Sequence, residues 1–341
     1  MITQEPCGKH SIVYAEPGVY AGWPANHGAW QWGDEFLVGF LRGRYRRKSM
    51  HNIAEPFEKV LARSLDGGRT WSVEVPNVDF ECHDRTTPPD APAFSLRDQI
   101  IRVCGVYDHG GDECFEPGGF YKSADRGRSW DGPYRLTGLE QQTDGGEYIC
   151  TARTRTAGDL VFLSRGQRLV WGTDSTFCAE HDGRRFVFKS TVLDDSARAV
   201  MPAVAEVAGR IVVAMRRRRT AVREGWIDVV HSDDGGATWS KPRQVGVTGS
   251  RNGNPPALAA LPDGRLVCCY GNRDFGSMVV AISSDRGETW SASLVREGSE
   301  EERDIGYPQL FVRSDGVPVC VYYWADGSTP HQHIAATALE V

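Results

Sequence analysis

The stretch SSDRGETW (Ser283 to Trp290) places a bulky indole directly after a run of turn-forming residues, and its pattern recurs along the chain. Three further copies follow the form S-x-D-x-G-x-[ST]-W: SLDGGRTW (Ser64 to Trp71), SADRGRSW (Ser123 to Trp130) and SDDGGATW (Ser232 to Trp239). A degraded copy, EHDGRRFV (Glu180 to Val187), keeps an aspartate in register. Successive copies lie 51 to 59 residues apart, as their central aspartates show: Asp66, Asp125, Asp182, Asp234 and Asp285.

Self-similarity at this period is typical of propellers and solenoids, in which each repeat is one supersecondary unit. The segments between the copies are short, β-branched and bounded by Gly, Asp or Pro, for example GRIVVAM (Gly209 to Met215) and GRLVCCY (Gly264 to Tyr270). Such segments predict strands, and no long window keeps a helical face. Each repeat is therefore expected to form a four-stranded antiparallel sheet of an all-β propeller.

Six blade starts can be identified, so we predict a six-bladed β-propeller that occupies residues 1–341 as a single domain. The starts are YAGWP (Tyr20 to Pro24), APAF (Ala91 to Phe94), GEYICT (Gly146 to Thr151), VMPAV (Val200 to Val204), GNPPAL (Gly253 to Leu258) and GYPQL (Gly306 to Leu310). The last repeat has three clear strands, and SIVYA (Ser11 to Ala15) is expected to supply its outer strand. That pairing would close the ring and hide the open edge.

The recurring string is predicted to stabilise a tight hairpin in each blade. Its Ser and Asp oxygens can accept hydrogen bonds from local backbone N–H groups, its Gly can adopt a positive φ, and its Trp can pack against the blade. One copy per blade would spread the strings around the rim, which favours a structural role over catalysis.

Composition excludes several classes of function. The net charge of −6 counts against a nucleic-acid binder, and no apolar run reaches the length of a membrane-spanning helix. No zinc, nucleotide or metalloprotease motif occurs, so we expect no metal and no cofactor. The nine cysteines include several within apolar strands, such as Cys104, Cys268 and Cys320, which predicts reduced thiols and a cytoplasmic location.

The four intact strings resemble the Asp boxes, or BNR repeats, of the sialidase superfamily, and the resemblance covers nearly the whole chain. It implies a carbohydrate-binding cleft at the centre of the ring. A sialidase uses three arginines to bind a sugar carboxylate, a tyrosine nucleophile activated by a glutamate, and an aspartate acid/base. The motif specifies the fold far better than the activity, because lyases and non-enzymatic receptors share it.

Three positions match that catalytic set. Tyr307 in GYPQL corresponds to the nucleophile, Arg273 in YGNRDF (Tyr270 to Phe275) to one binding arginine, and Arg216 directly after GRIVVAM to another. The resemblance therefore implies that Tyr307, Arg216 and Arg273 meet in the central cleft.

Three other positions depart from the set. Trp23 precedes Pro24 where the family carries its first arginine, and Met201 stands at the position of the family glutamate. The first-blade loop from Arg42 to Pro56 contains no aspartate, and it offers His51 and Glu55 instead. Ordinary hydrolysis of sialic acid is not expected without these parts.

Candidate replacements come from the predicted blade starts and from one polar loop. Glu147, Asp90 and His83 are candidate acid/base groups, and Arg85 is a candidate substrate ligand. Each also fits a purely structural reading, as a solvated loop residue or a partner in an ion pair. Trp23 and Trp324 are candidates for stacking on a sugar ring, although indoles also fill blade interfaces.

Three functions remain open at this stage. The first is an exo-glycoside hydrolase that holds an anionic, carboxylate-bearing sugar through Arg216 and Arg273 and uses Tyr307 as nucleophile or transition-state stabiliser. The second is a uronate lyase, in which an arginine neutralises the carboxylate, Tyr307 removes the α-proton and His83 protonates the leaving oxygen. The third is a sugar-binding propeller without catalysis.

Overall fold

The computed structural model describes most of the chain. The described ranges are 8–48, 51–80, 88–104, 118–142, 147–167, 170–219, 224–250, 252–299, 304–327 and 329–341. Within these ranges the structure contains β-strands and two short 3-10 turns (Pro24–Asn26 and Glu140–Gln142), and it contains no α-helix. None of the helical segments described is long and apolar enough to span a membrane.

The strands are numbered in chain order. The first nine are β1 (Lys9–Tyr14), β2 (Val19–Gly22), β3 (Ala29–Trp32), β4 (Glu35–Tyr45), β5 (Ile53–Ser64), β6 (Ser72–Glu74), β7 (Ile100–Cys104), β8 (Gly119–Ser123) and β9 (Asp131–Arg135). The next eight are β10 (Glu147–Ala157), β11 (Leu160–Gln167), β12 (Val170–His181), β13 (Phe186–Leu193), β14 (Arg198–Val207), β15 (Arg210–Arg218), β16 (Gly225–Ser232) and β17 (Arg243–Gly249). The last seven are β18 (Ala257–Ala260), β19 (Leu266–Asn272), β20 (Ser277–Ser283), β21 (Ser291–Arg296), β22 (Gly306–Val312), β23 (Pro318–Asp326) and β24 (Thr329–Ala338).

These strands form six antiparallel sheets, which confirms the predicted six-bladed β-propeller. In blade order the sheets are β2-β4-β5-β6 with β3 paired to β4, β7-β8-β9, β10-β11-β12-β13, β14-β15-β16-β17, β18-β19-β20-β21, and β22-β23-β24-β1. The first strands of successive blades contact one another, for example β10 with β14, β14 with β18 and β18 with β22. Those first strands therefore surround the centre of the ring, and residues where they begin face a common cleft.

The N-terminal strand closes the ring as predicted. β1 pairs antiparallel with β24, with Lys9 opposite Ala338 and Ile12 opposite Ala335. The sixth blade is thus built from both ends of the chain, and this pairing covers the edge that β24 would otherwise expose.

One predicted blade start is not a strand. Residues 88–98, which include APAF (Ala91 to Phe94), are irregular, and the described sheet of the second blade begins at β7. The segment carries Pro88, Pro89 and Pro92, each of which lacks the N–H that a strand ladder requires. Phe94 still packs in the core between the second and third blades, and its backbone N–H donates to Gly183 at 3.0 Å.

The hairpin between β20 and β21 shows the local contacts predicted for SSDRGETW. The Asp285 carboxylate accepts hydrogen bonds from the Thr289 N–H at 2.9 Å and the Thr289 hydroxyl at 2.5 Å, while the Ser283 hydroxyl oxygen accepts the Gly287 N–H at 2.8 Å. Gly287 has a φ of 95°, and Trp290 packs against the core between the fourth and fifth blades. The bonds from Thr289 and Ser283 lower the pKa of Asp285 to about 2. The string therefore stabilises the hairpin.

Apolar side chains fill the spaces between neighbouring sheets. Phe36 of the first blade stacks on Phe311 of the sixth, with 4.6 Å between ring centroids, and joins the two ends of the ring. The described cysteines are buried free thiols: Cys104, Cys178, Cys268, Cys269 and Cys320. They pack as small hydrophobic residues, as predicted.

Candidate functional site

Three blade starts share an unusual backbone. Trp23, Met201 and Tyr307 have positive φ values of 54°, 57° and 48°, and each directly precedes a proline. The ladder register shifts at two of these points, between Val200 and Ala203 in β14 and between Gly306 and Gln309 in β22. Positive φ is costly for residues other than glycine, and both such strain and β-bulges concentrate at functional sites. These distortions indicate that the functional site lies at the centre of the ring.

Tyr307 is held in this conformation by a buried amide. Its backbone N–H donates to the Asn254 side-chain oxygen at 2.9 Å, and the Asn254 amide nitrogen donates to the Ile305 carbonyl at 2.8 Å. Gly306, with a φ of 93°, passes so close to Asn254 that a Cβ would lie 2.5 Å from its oxygen. The half-buried Tyr307 ring packs against Met201. A tight loop thus fixes the tyrosine from two neighbouring blades.

Two arginines flank the Tyr307 ring. Arg216 from β15 donates to the Tyr307 hydroxyl at 3.2 Å, and the guanidinium carbons of Arg216 and Arg273 lie 5.9 Å and 5.5 Å from the ring centroid. Burial raises the pKa of Tyr307, but the positive charges of Arg216 and Arg273 outweigh it and lower that pKa below the ordinary value. The structure therefore brings together the three residues that the sequence assigned to the cleft, and it favours the phenolate of Tyr307.

Arg216 is buried and is engaged mainly by neutral groups. It donates through Nε to the Asn252 carbonyl at 2.9 Å, again to that carbonyl through Nη2, and to the Met201 sulfur at 3.5 Å. Within the described part of the chain no carboxylate contacts it. Burial and the charges of Arg198 and Arg273 lower its pKa, so its charge is incompletely balanced. The thioether of Met201 lies where the resemblance placed a glutamate.

A buried carboxylate, Asp304, organises the other side of the cleft. It accepts hydrogen bonds from the Tyr20 and Tyr323 hydroxyls, both at 2.8 Å, from His51 Nδ1 at 2.9 Å, and from the Gln332 amide at 3.5 Å. Burial and the Asp304 charge raise the pKa of Tyr20 and of Tyr323 well above the usual range. Both phenols therefore stay protonated and act as donors to Asp304.

Arg273 and Arg198 add positive charge around this cluster. Burial lowers the pKa of Arg273, but the neighbouring Tyr323, Tyr307 and Asp304 raise it overall. Arg198 forms an ion pair with the buried Asp174, and its charge acts on Arg216. Arg198 thus adds a third positive charge near Arg216 and Arg273, and it was not among the arginines that the sequence analysis proposed, which were Arg216, Arg273 and Arg85.

The predicted acid/base candidates have different outcomes. His83 and Arg85 lie outside the residues that the structure describes. Glu147 is the first residue of β10, but the structure does not describe its side chain. Asp90 does not lie in the cleft. It is exposed and accepts hydrogen bonds from Thr137 at 2.7 Å and from Arg135 at 2.9 Å, beside the outer strand β9. This location does not support the acid/base role predicted for Asp90, because that prediction depended on a blade start that the prolines prevent.

The two predicted stacking tryptophans are packing residues. Trp23 has 1% of its surface exposed, and its ring lies against Tyr20, His51 and Tyr323 at centroid distances of 5.0, 4.9 and 6.0 Å. Trp324 is completely buried and lies 4.8 Å from the guanidinium carbon of Arg296. Neither indole offers a face to a sugar, which corrects the expectation for both. Trp23 instead supports the wall that carries His51.

Sequence reasoning missed Asp304 and its tyrosine partners. A usable signal was present, because Asp304 stands three residues before Tyr307 in RDIGYP (Arg303 to Pro308). Among the residues described, no group of three or more histidine, cysteine or acidic side chains is placed as metal ligands would be. The arrangement instead offers an activated phenol, concentrated positive charge and a histidine bonded to a carboxylate.

The model of the BNR repeat-like domain family matches residues 107–320. No significantly similar sequence was found among curated proteins. A protein of unknown function from Dyadobacter fermentans is 18% identical and superposes with a TM-score of 0.72, covering 98% of each chain.

Two enzymes also share the fold. The α-L-arabinanase of Penicillium chrysogenum, solved with arabinobiose, is 16% identical, with a TM-score of 0.58 over 98% of this chain and 99% of that one. The NanB sialidase of Streptococcus pneumoniae is 12% identical, with a TM-score of 0.59 over 99% of this chain and 71% of that one. At these identities the similarity establishes the propeller architecture.

Proposed function

The chain belongs to the BNR repeat-like domain family, and we propose that it is a carbohydrate-active enzyme. We propose more specifically that it is an exo-glycoside hydrolase with Tyr307 as its nucleophile. The observation that carries this proposal is the contact between Arg216 and the Tyr307 hydroxyl at 3.2 Å, with Arg273 beside the same ring. A phenol is a weak nucleophile unless its pKa is lowered, and these two charges lower it. A lowered tyrosine pKa assists nucleophilic catalysis and is not needed for sugar binding alone.

The reaction follows from that phenolate. Its oxygen attacks the anomeric carbon while the glycosidic bond breaks, and the leaving oxygen keeps the bonding electron pair and takes up a proton. Water then attacks the same carbon, which frees Tyr307 and releases the sugar with its reducing end. Arg216 and Arg273 stabilise the phenolate when it leaves, and Asn254 keeps the ring in position throughout.

An anionic sugar fits the charges of the site best. Arg198 is paired with Asp174, and Arg273 lies near Asp304, whereas among the residues that the structure describes Arg216 has only neutral hydrogen-bond acceptors apart from Tyr307. A buried guanidinium without a carboxylate partner favours binding of an anion, since a carboxylate matches its geometry. A carboxylate-bearing substrate would supply the missing negative charge. The substrate is therefore expected to be a sialoside, a related ulosonate or a uronate.

The solved relatives support the carbohydrate class. One is an arabinanase that was solved with a disaccharide, and another is a sialidase. Both superpose on this chain over nearly its whole length, and a concave cleft of this kind is a recurrent location for ligands.

A uronate lyase is the second candidate, and the identity of residue 201 favours it. A thioether at this position leaves Tyr307 with arginines rather than a carboxylate around its hydroxyl, and such a phenolate can act as a base as well as a nucleophile. In that reaction Arg216 would neutralise the uronate carboxylate and Tyr307 would take the α-proton. The bond between the β-carbon and the glycosidic oxygen would then break by elimination, and that oxygen would keep the electron pair and take up a proton.

Product analysis separates the candidates. The protein is incubated with sialosides, Kdo glycosides, uronate oligosaccharides and arabinobiose, and both released reducing sugar and the ultraviolet absorbance of unsaturated uronates are recorded. We expect reducing sugar without the absorbance. The absorbance would place the lyase first, and the absence of both signals, with measurable binding, would establish a sugar-binding propeller instead.

A further inference from the structure

His51 and Asp304 form a dyad next to the proposed nucleophile. His51 Nδ1 and Asp304 Oδ1 are 2.9 Å apart, although the two residues are separated by 253 positions in the chain. The Asp304 side chain is 2% exposed, whereas that of His51 is 31% exposed. A buried carboxylate thus holds a histidine that reaches toward solvent.

The surroundings fix the orientation of the imidazole. Carboxylate oxygens accept hydrogen bonds, and because Tyr20 and Tyr323 both donate to Asp304, we assign the donor role in its contact with His51 to Nδ1–H. The edge of the His51 ring meets Trp23 at an interplanar angle of 87°. Since Nδ1 points at Asp304, Nε2 lies on the opposite side of the ring, away from the buried carboxylate.

The dyad and Tyr307 share one wall. The Tyr323 hydroxyl donates to Asp304, and the Tyr323 ring packs edge-on against Tyr307 with 5.9 Å between centroids. The Asp304 charge also acts on Tyr307 directly. Among the residues that the structure describes, the charged and titratable groups that act on this cluster include Tyr20, Tyr323, Arg273 and Tyr307.

We infer that His51 is the acid/base of this site and that Asp304 is its positioning residue. This inference rests on the proposed function, because it assigns the group that supplies the proton in glycoside cleavage. A histidine held by a buried carboxylate through one nitrogen is a standard arrangement for proton transfer through the other.

The proton balance is complete with these two residues. In the first step the imidazolium of His51 gives its Nε2 proton to the glycosidic oxygen. The bond between that oxygen and the anomeric carbon breaks with its electron pair on the oxygen, while the Tyr307 phenolate forms a bond to the anomeric carbon. In the second step neutral His51 takes a proton from water as the water oxygen bonds to the anomeric carbon, and the Tyr307 phenolate leaves. His51 and Tyr307 both return to their starting states.

The test compares leaving groups that differ in their need for a proton. Wild type, His51→Gln, Asp304→Asn and Tyr307→Phe are assayed with 4-nitrophenyl and methyl glycosides of N-acetylneuraminic acid, glucuronic acid and L-arabinofuranose. Nitrophenolate leaves without protonation, whereas an alkoxide does not. Glutamine can still donate to Asp304 but cannot shuttle a proton.

We expect His51→Gln to lose about 100-fold or more in kcat/KM on the methyl glycoside and less than about 10-fold in kcat/KM on the nitrophenyl glycoside. The parameter kcat/KM is used because it reports the steps through cleavage of the glycosidic bond and excludes the later attack of water. Asp304→Asn should show the same selectivity to a smaller degree. The matched control is His10→Gln on the outer strand β1, where the imidazole bonds Thr337 at 2.8 Å, and both of its rates should equal those of wild type.

Equal losses by His51→Gln on both glycosides would overturn the role of His51, since a purely structural residue affects both substrates alike. Unchanged rates would overturn it as well. A wild-type protein that cleaves none of the glycosides would instead overturn the proposed function, and the inference with it. The two failures are therefore distinguishable.

Discussion

The ionisation of Tyr307 depends on the arginines beside it. A phenol surrounded only by neutral groups would have its pKa raised by burial, and the two guanidinium groups reverse that effect. Activity that requires the phenolate should therefore persist at a pH where an ordinary tyrosine is protonated.

Arg216→Met is expected to move the acid limb of the pH–rate profile upward by about one pH unit or more, because it removes one charge and the hydrogen bond to Tyr307. The profile of kcat/KM against pH measures this shift. Arg219→Met is the control, since Arg219 is near Trp226 rather than Tyr307, and its profile should match wild type. An unshifted profile for Arg216→Met would remove Arg216 from the activation of Tyr307.

The resemblance to the sialidase superfamily located Tyr307, Arg216 and Arg273, because each lies in or beside a strand that can be recognised in the sequence. Their approach in the ring was therefore an expectation of that resemblance. The bond between His51 and Asp304 joins the first and last blades, and no local spacing encodes it. Trp23 was misassigned because sequence does not reveal that its indole is buried against Tyr20 and Tyr323.

The bulge at the start of β22 fixes the backbone of Tyr307 at the beginning of the strand. The backbone turns sharply at Gly306, and the Asn254 side chain occupies the space that a Cβ would need. The strain of a positive φ at Tyr307 is tolerated because the flanking hydrogen bonds over-determine the loop.

Gly306→Ala should therefore reduce kcat by about 10-fold or more, since a displacement of the nucleophile of about 1 Å is costly. Gly264→Ala is the matched control: its φ of 86° is similar, but nothing lies within 4 Å of the added Cβ, at the far end of β18. Gly264→Ala should lose about 1–2 kcal/mol of stability from the strained φ, and Gly306→Ala should lose more, because its Cβ also meets Asn254. Thermal melts and kcat are measured for both, and equal activities would contradict the role of Gly306.

At the scale of elements, the hairpin strings and the β-branched segments were sufficient to predict five of the six blade starts. The exception, APAF, shows the limit of counting repeats, because Pro88, Pro89 and Pro92 prevent the ladder that the period implied. Asp90 was misplaced together with that strand.

The ring as a whole depends on the pairing of β1 with β24. It covers the last open edge and brings both ends of the described chain into one blade, with Lys9 opposite Ala338. The described residues of the cleft come from the first, fourth, fifth and sixth blades, so closure and the geometry of the site are coupled.

Deleting residues 1–15 should lower the melting temperature by about 5 °C or more and promote self-association, because the edge of β24 becomes exposed. Appending residues 8–16 after Val341 through a short glycine–serine linker should restore both properties, since β1 begins where β24 ends. Melting curves and sedimentation report the outcome. A truncated chain as stable and monomeric as wild type would show that closure by β1 is dispensable.

The proposed glycosidase activity requires that Tyr307 acts in catalysis rather than in binding alone. The most direct measurement is the turnover and sugar affinity of Tyr307→Phe, which removes one oxygen atom from a half-buried ring and leaves its packing on Met201 in place. We expect kcat to fall by about 1000-fold or more while the dissociation constant for the substrate changes less than about 10-fold. Full turnover by Tyr307→Phe would contradict the role of Tyr307 as the nucleophile.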